Sequence, residues 1–286
     1  MSTHVIARRR LKALAARTLP EALKKQVRGL LYGYRKARVS LPVAFRSEGA
    51  GPAVIIDDRI QLRFAEQDRL AIRTHFAEHG AAVEEMSSFI DIAGRAKMLF
   101  DVGADRGIFS LVFCRTGEGR RAVAYEPSPS RFAAATELAA LNGVDGRLTL
   151  RQAALGTIHG RASGTVFADG TMVTDSHDPT GTAADVEMTT VDREVEALGL
   201  QPDVMKVDVE GYEYEVLRGA QELLRRRKPV LCLELHLDLL ERRGIPPAEI
   251  VADLQSHGYQ FRSCVGRRLE PADIGDSMHA ILRFVA

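Results

Sequence analysis

From residue 98 onward, short apolar runs recur along the chain, and each closes on glycine or polar residues: MLFDVG, AVAYEP, LTLRQAAL, VMKVDVE and VLCLEL. Helical periodicity fills the intervals between them. Strands that alternate with helices predict βαβ units and a mostly parallel sheet. Upstream, residues 53–64 hold two β-type runs split by Asp57, Asp58 and Arg59, which predicts a hairpin, and helices are expected over 68–79 and 83–92. Downstream, a helix over 247–257 precedes strands over 259–264 and 279–285, an antiparallel pair expected to finish the sheet at one edge. Near the start, Leu11, Leu14, Leu23, Val27, Leu30 and Leu31 recur at helical spacing among arginines and lysines, and Pro20 breaks this run into two helices. The pattern divides the chain into a helical arm (1–50), a hairpin and helices leading into the core (51–97) and one α/β domain (98–286). Residues 157–187 and 242–247 read as the loops that select an acceptor, the former as a mobile lid with His159 and His177 facing solvent.

Charge separates the arm from the body. The formal net charge of the 286 residues is only +1, yet residues 1–50 hold 12 Lys/Arg against 2 Asp/Glu, which leaves the remainder at about −9. The arm is expected to pack on the body or on a sister subunit, the latter giving a homo-oligomer; contact with an acidic membrane surface or an anionic substrate is the alternative. Nucleic acid is not expected as a partner, because the arm lacks aromatic interleaving beyond Tyr32 and Tyr34. Cys114, Cys232 and Cys264 are odd in number and far apart, which suits a reducing, cytoplasmic setting. No apolar run reaches the roughly 18 to 20 residues of a membrane span, and no continuous apolar core follows the first positive charges as a secretory signal would require.

Candidate chemistry sits where the parallel strands end, because ligands of such sheets bind outside their carboxyl ends. The first strand runs into Asp101, Gly103, Ala104, Asp105 and Gly107, a glycine turn that opens a helix. A dinucleotide turn prefers three glycines aimed at a pyrophosphate. Here two glycines lie four apart and are flanked by acids, which suit a cationic ligand; S-adenosylmethionine carries a sulfonium and an ammonium and no phosphate. The second strand ends at Glu126, placed to accept a ribose diol, and Pro127 and Ser128 continue a shaped turn. After the third strand, Gln152 and Ala153 open a small-residue segment with room for a flat adenine. The fourth strand carries Lys206, Asp208, Glu210 and Glu213 within a stretch whose valines mark a buried strand. Asp208 and Glu210 share one face if the strand continues that far. The fifth strand ends at Glu234 and His236, which can join Asp208 and Glu210 around one crevice.

These motifs resemble the FkbM family of S-adenosylmethionine-dependent methyltransferases. The resemblance runs over residues 53–236 and is carried by DVGADRGIFS (101–110), the Glu126-Pro127 strand end, AALG (153–156), MKVDVEGYEYEVLRGA (205–220) and LELH (233–236). It implies a class I methyltransferase fold, Rossmann-like, with a seven-stranded mostly parallel sheet and helices on both faces, and O-methylation of a hydroxyl on a sugar, polyketide, glycolipid or other small molecule. Asp105 departs from the family, which usually has asparagine there.

Methyl transfer from a sulfonium is an in-line displacement, so the protein aligns the acceptor oxygen and removes its proton. His236 or Asp208 is the expected base, oriented by Glu210 or Glu234. The same acids could instead ligate Mg²⁺, which is not the favoured reading, and no metal residues are assigned. Lys206, inside the strand, is expected to pair with an acid. Three rival functions use related features: a nicotinamide-dependent oxidoreductase, disfavoured by the glycine spacing; a nucleic-acid methyltransferase using the basic arm, disfavoured by the missing aromatic-proline tetrad; and a non-enzymatic scaffold.

Overall fold

The computed structural model describes residues 43–48, 51–56, 60–64, 68, 80–167, 172–174, 180–263 and 279–285. The two predicted arm helices and most of the predicted helix over 68–79 lie outside these residues, as do His177 and Cys264. In chain order the strands β1 (Val43–Glu48), β2 (Gly51–Ile56) and β3 (Ile60–Arg63) form an antiparallel three-stranded sheet. The predicted hairpin is its β2–β3 half. β1 is a correction: it falls within the fifty residues that charge assigned to a helical arm, and its six residues, VAFRSE, carry no apolar-polar alternation that would announce a strand.

The main sheet has seven strands. β4 (Met98–Val102), β5 (Arg121–Tyr125), β6 (Leu148–Arg151), β11 (Val204–Val207) and β12 (Val230–His236) run parallel, while β13 (Gln260–Ser263) and β14 (His279–Val285) form the antiparallel edge pair. The spatial order is β13-β14-β12-β11-β4-β5-β6, so the strand order reverses between β4 and β11. That reversal opens a crevice at the carboxyl ends of the two strands.

Alternation along the strands explains the layers. Leu99, Ala122, Ala124 and Val204 face one core with α1 (Gly80–Ala93), α2 (Ile108–Arg115) and α3 (Pro129–Leu141). Phe100, Val102, Val123, Met205, Val207 and Leu233 face the other. On that side lie α4 (Val191–Leu198), α5 (Glu213–Arg218), α6 (Gln221–Arg226), α7 (Leu237–Arg242) and α8 (Pro247–Ser256). Local sequence fixes the helix ends. Ser128 precedes Pro129 at the first helical position of α3. Thr190 caps α4 by accepting from the Arg193 amide, and Asp192 accepts from the Glu222 and Leu223 amides to cap α6. The Asn142 side chain bonds both backbone groups of Arg63 and so ties β3 to the end of α3.

A third sheet overturns the expectation of a loop over 157–187. β7 (Ala154–Leu155), β8 (Gly160–Val166), β9 (Met172–Thr174) and β10 (Thr182–Thr189) assemble in the order β7-β10-β8-β9. β8 and β10 pair over seven residues, and Gly156 donates its amide to the Thr189 carbonyl. Of the cysteines, Cys114 is buried and Cys232 half-buried. Among the described residues no helix is long and apolar enough to cross a membrane.

Candidate active site

A cavity of about 250 Å³ opens at the carboxyl ends of β4, β5 and β11. Its floor is Val102, Gly103 and Tyr125; Ala153, Ala154 and Leu155 form one side, and Met172 and Thr174 of the small sheet close another. Asp105, Glu126, Asp208 and Glu210 all line it. An acidic wall of this kind favours a ligand that carries positive charge.

The turn after β4 is built around Gly103. Its φ is 78°, and a Cβ there would lie 1.8 Å from the Asp208 carbonyl oxygen, so the turns after β4 and β11 can meet only without a side chain. Gly103 and Ala104 both donate their amides to the Tyr125 carbonyl. Glu126 locks two turns together: one carboxylate oxygen accepts from the Asp105 amide and the other from the Ser128 amide, each at 2.8 Å. Burial pushes its pKa up to about 7, against the pull of those two amides. Asp105 and Glu210 both adopt positive φ, 50° and 51°, two of only three such non-glycine residues among those described. Backbone strain of this kind gathers where a site needs it. The charge of Asp105 is balanced by Arg131, which pairs with it closely and also lines the cavity, and by Arg106 at 3.4 Å.

Beyond β11 the chain turns at Asp208, so Asp208 and Glu210 are set by the turn rather than by strand alternation. Lys206 is buried and pairs with Asp208 at 2.9 Å and with Glu85 of α1 at 4.0 Å, with its ammonium 4.4 Å from the centre of the Phe109 ring. Burial works against the ammonium, yet Asp208, Glu85, Asp101 and Glu234 outweigh it and hold the lysine charged. Burial likewise raises Glu85, to about 8. His236 is 3% exposed, and its Nδ1 lies 2.8 Å from Glu213, a fully buried carboxylate that also accepts the Gly211 amide. Its Nε2 lies 3.3 Å from Glu210 and 3.8 Å from Asp208. Burial, the largest influence, would lower the imidazole pKa; three surrounding carboxylates, Glu213 foremost, push it up to about 9 instead. The three carboxylates around it therefore favour the imidazolium form of His236 at neutral pH.

The structure sorts the residues singled out by sequence. Gly103, Asp105, Glu126, Pro127, Ala153, Asp208 and Glu210 line one cavity. His236 stands behind Asp208 and Glu210 rather than in the wall. Asp101 is buried beneath the turn, where one oxygen accepts from the Ser110 amide and hydroxyl, and burial raises its pKa. Ala104, Gly107 and Ser128 shape the turns without lining the cavity. Gln152 is exposed outside it, and Glu234 lies with the buried Lys206 cluster rather than at the crevice. Among the described residues, no group of three or more His, Cys, Asp or Glu is arranged to hold a metal ion. Sequence reasoning missed Arg131, Glu85, Met172, Thr174 and Tyr212. Only Tyr212 carried a signal, since it lies within the fourth-strand motif.

A strand order that reverses beside an acidic crevice, in a parallel sheet finished by an antiparallel pair, defines a class I methyltransferase-like α/β protein. The chain belongs to the FkbM methyltransferase family of S-adenosylmethionine-dependent enzymes: the model described as the Methyltransferase FkbM domain matches residues 101–261. No curated protein sequence matches it. Among solved structures it is similar to the methyltransferase FkbM from Methylobacillus flagellatus KT, at 17% identity and a TM-score of 0.45 over 67% of this chain and 44% of that one. The match thus spans less than half of that protein's length. It is similar to a putative O-methyltransferase from Klebsiella pneumoniae, at 14% identity and a TM-score of 0.40 over 76% and 88% of the two chains. The O-methyltransferase from Bacillus cereus, in complex with SAH, matches at 9% identity and a TM-score of 0.40 over 77% and 90%.

Proposed function

We propose that this protein transfers a methyl group from S-adenosylmethionine to a hydroxyl oxygen of a sugar, polyketide, glycolipid or other small molecule. The observation that carries the reading is Glu126. Its carboxylate closes the cleft floor, spends one lone pair of each oxygen on a backbone amide, and keeps the remaining lone pairs for a diol. The residues present fit the cofactor: Glu126 for the ribose, the small residues Ala153 and Ala154 beside a flat base, and Asp208 and Glu210 near the positive end. When bound, the cofactor supplies the electrophilic methyl group.

The chain's own residues do the rest. Asp208 is the group we assign as base for the acceptor hydroxyl, because it lines the cavity and an imidazolium at His236 has no lone pair to offer. Lys206 and His236 grip Asp208 from two sides and fix its orientation. Glu213 fixes His236 in turn. The Tyr212 and Val209 side chains and the small sheet exclude water from one side of the cleft.

Calorimetric titration with S-adenosylhomocysteine and, separately, with a nicotinamide dinucleotide tests the cofactor class; binding of the dinucleotide alone would overturn it. Methyl transfer to hydroxyl-bearing acceptors tests the reaction. Asp208→Asn is expected to lower turnover at saturating cofactor by about 10² to 10⁴, the usual range for removing a base. Turnover near wild type would place the base elsewhere.

A further inference from the structure

The opposite end of the main sheet carries a charge pattern that methyl transfer does not use. Five segments lead into the parallel strands there, at 94–97, 115–121, 142–147, 199–203 and 225–229, and with the last residues of α2 and α6 and the first of β5 they hold ten Lys/Arg and three Asp/Glu. Residues 51–286 as a whole are net acidic, so this end stands against its background. The loops are adjacent in space. Arg121 donates its amide to the Lys97 carbonyl, Ala122 to Arg147, Asp203 to Met98 and Val230 to Asp203, which strings the five strand starts into one row. At the usual strand spacing of about 4.8 Å the row spans roughly 20 Å.

Several of these charges have no structural work. Arg120 and Arg147 bond loop carbonyls, and Arg225 and Arg226 pair with Glu222. Lys97, Arg121, Arg227 and Lys228 are exposed, and among the described residues no ion pair holds them. Asp203, the acid nearest the middle of the row, turns its carboxylate onto the Lys97 and Met98 amides. Beside the row, α3 ends at Leu141, one of two large apolar side chains exposed among the described residues.

We propose that this amino-end face docks on an anionic lipid bilayer. Basic side chains in a row favour a negatively charged surface, and an exposed leucine at its margin suits a lipid interface. No exposed aromatic ring offers a base a stacking platform among the described residues, which sets nucleic acid behind. The first fifty residues carry the same preference in their sequence, with leucines at helical spacing among twelve Lys/Arg. The cavity lies at the other ends of the strands, so a docked enzyme keeps its cleft open to water.

The test is sedimentation of the full chain with phosphatidylcholine vesicles, with and without phosphatidylglycerol. The protein is expected on the anionic vesicles only, and to leave them at high salt. The triple variant Lys97→Gln, Arg121→Gln, Arg227→Gln should lose on the order of a hundredfold in partitioning, about fivefold for each basic residue removed. S-adenosylhomocysteine affinity should be unchanged, which shows that the variant is folded. The swap Lys97→Arg, Arg121→Lys, Arg227→Lys should retain binding, since it keeps the charges. The proposal falls if wild type ignores anionic vesicles, if the triple variant binds them as wild type does, or if RNA of equal charge strips the protein from them.

Discussion

Glu126 is the residue on which cofactor binding turns, and its environment makes that binding depend on pH. Its carboxyl must be ionised to accept a diol and to favour a cation, yet burial holds its pKa near 7. The sign is set by the anion being the binding form: affinity for S-adenosylhomocysteine is expected to rise as pH rises through about 7 and to level off above. Calorimetry in buffers of different ionisation enthalpy should register proton release near neutrality. Glu126→Gln should flatten the profile and weaken binding by roughly 1.5 to 3 kcal/mol, the range for a hydrogen bond to a charged group.

His236 works in the opposite sense. Its pKa of about 9 lies above the ordinary 6.5, so the stability it contributes is fully present below 6.5 and is lost as pH rises through 9. The difference amounts to roughly 3 kcal/mol if the whole shift is expressed. Urea unfolding of wild type and His236→Gln at several pH values should show two curves that converge by about pH 10. Parallel curves would mean that His236 is neutral in the folded protein. Because the imidazolium also neutralises Glu213 in the interior, His236→Gln should be destabilised most at low pH.

Between elements, the close approach of backbones decides which motifs had to be glycine. Gly156 of the AALG segment and Gly219 of the fourth-strand motif lie far apart in sequence, yet a Cβ on Gly219 would come within 2.0 Å of the Gly156 carbonyl. This contact joins the turn after α5 to the segment that lines the cleft. Gly219→Ala is expected to destabilise the fold by about 1 to 3 kcal/mol or more, as overpacking against rigid backbone does, and to weaken S-adenosylhomocysteine binding through displacement of Ala154 and Leu155. A lower urea midpoint with unchanged affinity would show that the strain is absorbed on the α5 side.

The same scale shows what the sequence could disclose. The parallel strands announced themselves because both faces are buried, so each reads as an apolar run bounded by turn residues. β12 runs through to His236, because Glu234 and His236 still pair with Ile281 and His279 of the edge strand. The small sheet was illegible because its strands lack that signal: β8 reads GRASGTV and β10 TAADVEMT, and the first four residues of each are half-exposed or exposed. Pairing with each other, rather than apolar periodicity, holds them. At the site, Asp208, Glu210 and His236 were legible because one motif and one strand end carry them. Glu85 and Arg131 were not, since a buried acid on α1 and an arginine on α3 acquire meaning only when the fold brings them to Lys206 and Asp105.

At the scale of the whole domain, the cleft is shared between two sheets. The main sheet supplies Gly103, Glu126 and Asp208, and the small sheet supplies Ala154, Leu155, Met172 and Thr174. The two are continuous through β7, whose residues pair with Met188 and Thr189 of β10 while the chain leaves β6 only three residues earlier. A ligand that touches both should therefore stabilise both. At one hundred times its dissociation constant, S-adenosylhomocysteine adds about 2.7 kcal/mol, which for a domain of this size corresponds to a rise of roughly 5 to 10 °C in Tm. Hydrogen exchange locates that gain. The central strands β4, β5 and β11 are paired on both sides and should be protected already, whereas β9 sits at the edge of its sheet with a single partner, β8. Cofactor binding is accordingly expected to slow exchange at residues 172–174 by more than in β4 or β5, and to do so together with the turn at 103–105. Slowing confined to 103–105 would mean that the small sheet stands clear of the cofactor and walls only the acceptor's side of the cleft.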